Sequence, residues 1–125
     1  MTKGLAFLIG MLIEGAVAAL LGALLHKRFD RSYFGAAVRC GAAAVVGTGA
    51  TNPAIWVGFS RLEDWTGNWW GAAALGEAGV VLVEALFYAA ALRGRWRWSL
   101  ALSIAANAAV FGAGMLFASG MVRPG

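Results

Sequence analysis

One cysteine and one histidine are all the thiol and imidazole this chain carries. Cys40 has no second thiol to pair with, so no internal disulfide can form. With no Cys or His near it, it reads as a small packing residue. His26 falls in a connection between apolar stretches, at a solvated or headgroup-level position, and belongs to a different element from Cys40. No zinc-type ligand set can be assembled from the two. No histidine lies inside an apolar stretch, and no nucleophile–base pair is apparent, so neither an enzyme nor a bound metal or cofactor is expected. Charge is scarce as well. Only 13% of the 125 residues are charged while 61% are hydrophobic, and a water-soluble domain of this size could not hide so much apolar surface. The net charge of +4 could suggest a nucleic-acid partner. The basic residues sit in short connections, however, which is the topology signal of a membrane protein, and no nucleic acid is expected. No linker, low-complexity segment or clear repeat divides the chain, so residues 1–125 read as one domain.

What is present is a set of apolar runs. The sequence predicts an all-α, polytopic membrane protein, a compact bundle of four transmembrane helices. The spans are Gly4–Leu25, Tyr33–Ser60, Trp70–Leu92 and Ser99–Ser119. Three match the ~20 residues that a bilayer core requires. The second is too long for one straight span and is interrupted at Thr51-Asn52-Pro53, so it must tilt, extend out of the bilayer, or break. The N-terminal run is not expected to be a signal peptide, because it is long and is followed by the bulky, charged HKRFDRS. Lys27, Arg28, Arg31 and Arg39 cluster around the first connection and Arg93, Arg95 and Arg97 around the third. Lys3, Arg61 and Arg123 lie on the other side, with Glu63 and Asp64 beside Arg61. This bias places the first and third connections in the cytoplasm and both termini outside a bacterial inner membrane. Trp56, Trp65, Trp69 and Trp70 would form the outer aromatic belt, Trp96 and Trp98 the inner one.

The apolar runs contain acids. Gly71–Leu92 reads GAAALGEAGVVLVEALFYAAAL and carries Glu77 and Glu84, and the first span carries Glu14. Each such group costs about 2.5–3.5 kcal/mol to insert and therefore usually faces protein or water. Glu77 and Glu84 are close to two helical turns apart and share one face, which Tyr88 joins a turn later. Ser99, Ser103 and Asn107 recur every four residues and form a polar stripe on the fourth span. Depth along the spans predicts an outer polar layer of Glu77, Thr51 and Asn52, and an inner one of Glu84, Arg39, Tyr88 and Asn107, with Ser103 nearby. Arg39 is expected to neutralise Glu84, or else to snorkel to the headgroups. Glu77 has no cation in reach and is the leading candidate for a titrating group. Glu14, near mid-bilayer, either joins the site or hydrogen-bonds across a helix interface. Pro53 removes a backbone donor from the second span. That gives either a simple kink, satisfied by the Thr51 and Asn52 side chains, or a break whose freed carbonyls line a site.

The set T-N-P, E-x6-E-x3-Y and S-x3-N, from Thr51 to Asn107, resembles a pattern found in small bacterial membrane proteins of four or more spans. That resemblance implies a multi-span fold and carries no activity. Small multidrug transporters share a first-span glutamate, but their aromatic signature is missing here. Fluoride channels share the size, but their arginine-bearing first span and threonine-phenylalanine-serine motif are absent. Two functions follow from the residues. One is a small carboxylate-dependent transporter or channel for a cation or proton, forming a homo-oligomer in the lipid bilayer because four short helices enclose little volume. The alternative is a non-catalytic structural or assembly subunit, partnered by other membrane protein subunits and using its buried polar groups to specify helix pairing.

Overall fold

Three helix starts are encoded in single side chains. Thr2, Ser32 and Asn68 accept hydrogen bonds from the backbone N–H of Leu5, Gly35 and Gly71, at 3.2, 3.0 and 2.6 Å. Each satisfies a donor that the first turn of a helix leaves without a partner. In the computed structural model, which describes residues 2–120, the elements that follow are α1 (Lys3–Leu24), a 3-10 turn (His26–Phe29), α2 (Tyr33–Thr66), α3 (Trp69–Ala91) and α4 (Trp96–Gly120). No strand occurs among the described residues. Arg123, counted above in the charge bias, lies outside them. Gly67 ends α2 with φ of 80°, a left-handed conformation that suits a residue with no Cβ and lets the chain reverse into α3 almost at once.

α1 packs against α2 and α4, and α3 packs against the same two helices. The four therefore form a ring, with α1 facing α3 across one diagonal and α2 facing α4 across the other. Short connections impose this antiparallel order. Small residues set the α1–α2 spacing. A Cβ on Gly41 would stand 3.3 Å from the Ala19 Cβ, and one on Gly15 3.1 Å from a Val45 methyl. Ala18, Ala36, Cys40, Ala43 and Ala44 fill the seam, and Phe29 folds from the 3-10 turn into the bundle end against Leu92 and Leu102. Cys40 is thus the packing residue that its isolation implied. Arg95 ties the third connection to the first, donating to the Arg28 carbonyl and pairing with Asp30 at 2.7 Å.

The inside of the ring is small or polar, and the outside is large and apolar. Glu14, Thr48, Thr51, Glu84, Ser99 and Ser103 are buried while Leu12, Phe34, Val57, Leu82 and Leu116 are exposed. A soluble domain has the opposite arrangement, and an apolar surface this extensive suits hydrocarbon. Three helical stretches, Gly4–Leu24, Trp69–Ala91 and Trp96–Leu116, are long and apolar enough to cross a bilayer.

α2 answers one of the questions the sequence left open. It is a single helix of 34 residues that continues through Thr51-Asn52-Pro53. Pro53 withholds one backbone donor, that for the Gly49 carbonyl, and the neighbouring turns keep their bonds. The Thr51 hydroxyl also donates back to the Gly47 carbonyl at 3.0 Å. At ~1.5 Å per residue such a helix spans roughly 50 Å, well beyond the ~30 Å of a hydrocarbon core.

Candidate functional site

The diagonal between α1 and α3 is where the acids meet. Glu14 projects from α1 and Glu84 from α3, with 2% and 1% of their surfaces exposed. Their carboxyl groups are neighbours, each held by a threonine on the same face of α2. α2 serves both through a pair of threonines three residues apart on its buried face. The Thr48 hydroxyl donates to Glu14 Oε2, and Thr51 Oγ1 stands 3.0 Å from Glu84 Oε1. α4 completes the group from the opposite corner. Asn107 Nδ2 donates to Glu84 Oε2 at 2.7 Å and to the Ser103 carbonyl at 2.8 Å. Gly47 makes room for the arrangement, since a Cβ there would stand 3.1 Å from Glu84 Cγ.

A cavity of about 340 Å³ adjoins these groups, with walls from all four helices. Glu14, Thr48, Asn52, Glu77 and Asn107 supply its polar lining. Gly10, Ile55, Val80, Val110, Phe111, Gly114 and Met115 supply the rest. Glu14 and Thr48 at one end are buried, whereas Glu77, Phe111, Gly114 and Met115 are exposed. The cavity therefore runs from the terminus-bearing end of the bundle down to the Glu14–Glu84 diagonal. Beyond the diagonal the interior is closed by Tyr88, Leu92, Leu102 and Phe29.

Several residues singled out in the sequence converge here, though not in the layers foreseen. Glu77 and Asn52 share the cavity wall, but Thr51 turns to Glu84 instead of Glu77. Thr51 lies on the buried face of α2 with Gly47 and Thr48, and that face meets Glu84 of the neighbouring α3. Glu84 keeps Asn107 as a partner but not Arg39. The Arg39 side chain is exposed, and its Nη1 donates to the Ala91 carbonyl at 3.5 Å. Its neighbour Cys40 faces the core, and one residue of helical rotation takes Arg39 away from it. At the end of α3 its charge meets the negative pole of that helix. Among the described residues the ion pair present is Arg95–Asp30. Tyr88 is fully buried, and its hydroxyl has no hydrogen-bond partner. Ser103 donates to the Val81 carbonyl at 2.8 Å and so fastens α4 to α3. His26, in the 3-10 turn, caps the end of α1, with Nδ1 2.8 Å from the Ala23 carbonyl oxygen. Thr48 was not singled out as a site residue. Its three-residue spacing from Thr51 was the available signal.

Among the described residues no cluster of three or more His, Cys, Asp or Glu side chains is placed to hold a metal ion. Compared with protein-family models, curated proteins and solved structures, the chain matches none of them.

Proposed function

We propose that this is a multi-pass membrane protein that moves a proton or cation through its carboxyl-lined interior. In this reading α2 crosses the bilayer together with the three apolar helices. The first and third connections face the cytoplasm, and both termini lie outside. The observation that carries the reading is the cavity. It is walled by all four helices, holds Glu77 near its exposed end and reaches the buried Glu14 at the other. Carboxyl, amide and hydroxyl groups lining a cavity inside an apolar shell can replace part of an ion's water. A bundle that used polar groups only to fix helix pairing would have no need to leave a cavity beside them. Glu77 also favours assembly. An exposed carboxyl at that position needs water or a neighbouring chain against it, and Gly79, Gly112 and Gly114 have open space around them. A second copy seated there would cover both.

The test uses the full chain in liposomes. Wild type is expected to dissipate an imposed proton or cation gradient. Glu77→Gln, which keeps shape and hydrogen bonding, is expected to insert and fold but to lose the flux. If wild type is inert under every gradient and co-purifies with a larger membrane complex, the assembly-subunit reading replaces this one.

A further inference from the structure

We infer that Glu14 and Glu84 form a carboxyl dyad that shares one proton across the α1–α3 diagonal, which makes the proton the ion this site binds. The inference rests on the proposed site but not on the site's moving anything. It comes from counting donors. Glu14 Oε2 accepts from Thr48 and Glu84 Oε2 accepts from Asn107. Glu14 Oε1 is buried and accepts from nothing. Across the diagonal stands the Glu84 carboxyl, and two ionised carboxyls have only acceptors to offer each other. Thr51 shows the same shortage. Its hydroxyl has one proton, yet it stands 3.0 Å from both the Gly47 carbonyl oxygen and Glu84 Oε1. One additional proton held by the pair lets one carboxyl donate to the other and frees Thr51 to serve Gly47.

The surroundings offer no other way to balance the charge. On α1 and α2 the groups facing the dyad are Thr48 and Thr51, with Asn52 on the cavity wall and Cys40 farther along the core. On α3 they are Glu77, at the open end of the cavity, and Tyr88, whose hydroxyl is neutral. On α4 they are Asn107 and Ser103. None is a cation, because Arg39 is committed to the far end of α3. Two adjacent buried carboxylates without a cation would cost far more than a shared proton. A metal ion is the other way to join two carboxyls, but the described residues do not bring a third ligand of that kind to them. The cavity links the dyad to Glu77, which gives a proton a route in from the exposed end.

Infrared spectroscopy of the full chain in lipid tests this directly, because a protonated carboxyl absorbs apart from a carboxylate and shifts in D2O. Wild type at neutral pH is expected to show a deuterium-sensitive protonated-carboxyl band. Glu77→Gln should retain it, and Glu14→Gln and Glu84→Gln should each shift or abolish it. Absence of the band from wild type would overturn the dyad, and that measurement needs no variant to fold. A band lost only in Glu77→Gln, or unchanged in both other variants, would overturn it equally. Flux without the band would leave the proposed transport standing and remove the dyad. The band without flux would do the reverse.

Discussion

The backbone of Gly22 lies against Cys40 so closely that a Cβ on the glycine would stand 2.7 Å from the cysteine sulfur and 2.8 Å from the Ala36 carbonyl oxygen. α1 and α2 touch there with nothing between them, and the fit holds the Glu14 and Thr48 levels of the two helices in register. Gly22→Ala must push the helices apart or bend one of them. Overpacking of this kind costs about 1–3 kcal/mol. The expected outcome is a clearly lowered unfolding temperature in detergent. Gly58→Ala, where the new methyl meets open space, should be as stable as wild type or more so. Equal stability of the two variants would show that α1 and α2 do not approach this closely.

Orientation follows from where the positive charge collects. Lys27, Arg28 and Arg31 lie in or beside the first connection and Arg93 and Arg95 in the third, and the Arg95–Asp30 pair joins the two. The end of the bundle that bears the first and third connections is therefore strongly basic and should remain in the cytoplasm. A reporter active only in the cytoplasm, fused after Gly125, should be silent. The same reporter inserted after Arg31 should be active. The opposite pattern would invert the bundle and place the open end of the cavity on the cytoplasmic side.

Glu84 supports a sharper test of the site. Asn107 Nδ2 is 2.7 Å from its Oε2, whereas Arg39 donates to Ala91 instead. In a thermal-unfolding double-mutant cycle, Glu84→Met with Arg39→Met should be additive to within about 0.5 kcal/mol. Glu84→Met with Asn107→Ala should deviate from additivity by more than that, because groups in direct contact typically couple by about 0.5–3 kcal/mol. Strong coupling to Arg39 would restore the ion pair that the sequence suggested.

The residues differ in how far they could be read in advance. The Ser99–Ser103–Asn107 stripe was legible because a four-residue repeat is a property of the helix itself, and all three do face the interior or its edge. Cys40 was legible from its isolation. The apolar lengths were legible because crossing hydrocarbon demands them. Arg39 was misplaced because depth along a helix says how far in a residue sits and nothing about which way it points. Thr51 was assigned to Glu77 for the same reason. Thr48 shares a helical face with Thr51 by its three-residue spacing, but that spacing does not say what stands opposite the pair.

The sequence by itself determined that the chain forms several long apolar helices, that three glutamates lie within them, and that its basic connections gather at one end. These are consequences of local periodicity, composition and the cost of exposing polar groups to hydrocarbon, and each can be summed residue by residue along the chain. Only the tertiary structure decided that Glu14 and Glu84 meet, that Thr48 and Thr51 serve them from one face of an unbroken α2, and that a cavity connects them to Glu77. Those relationships depend on the rotation of each helix about its axis and on which helices face across the ring. Both are set by close contacts such as Gly22 on Cys40 and Gly47 on Glu84, between residues far apart in sequence.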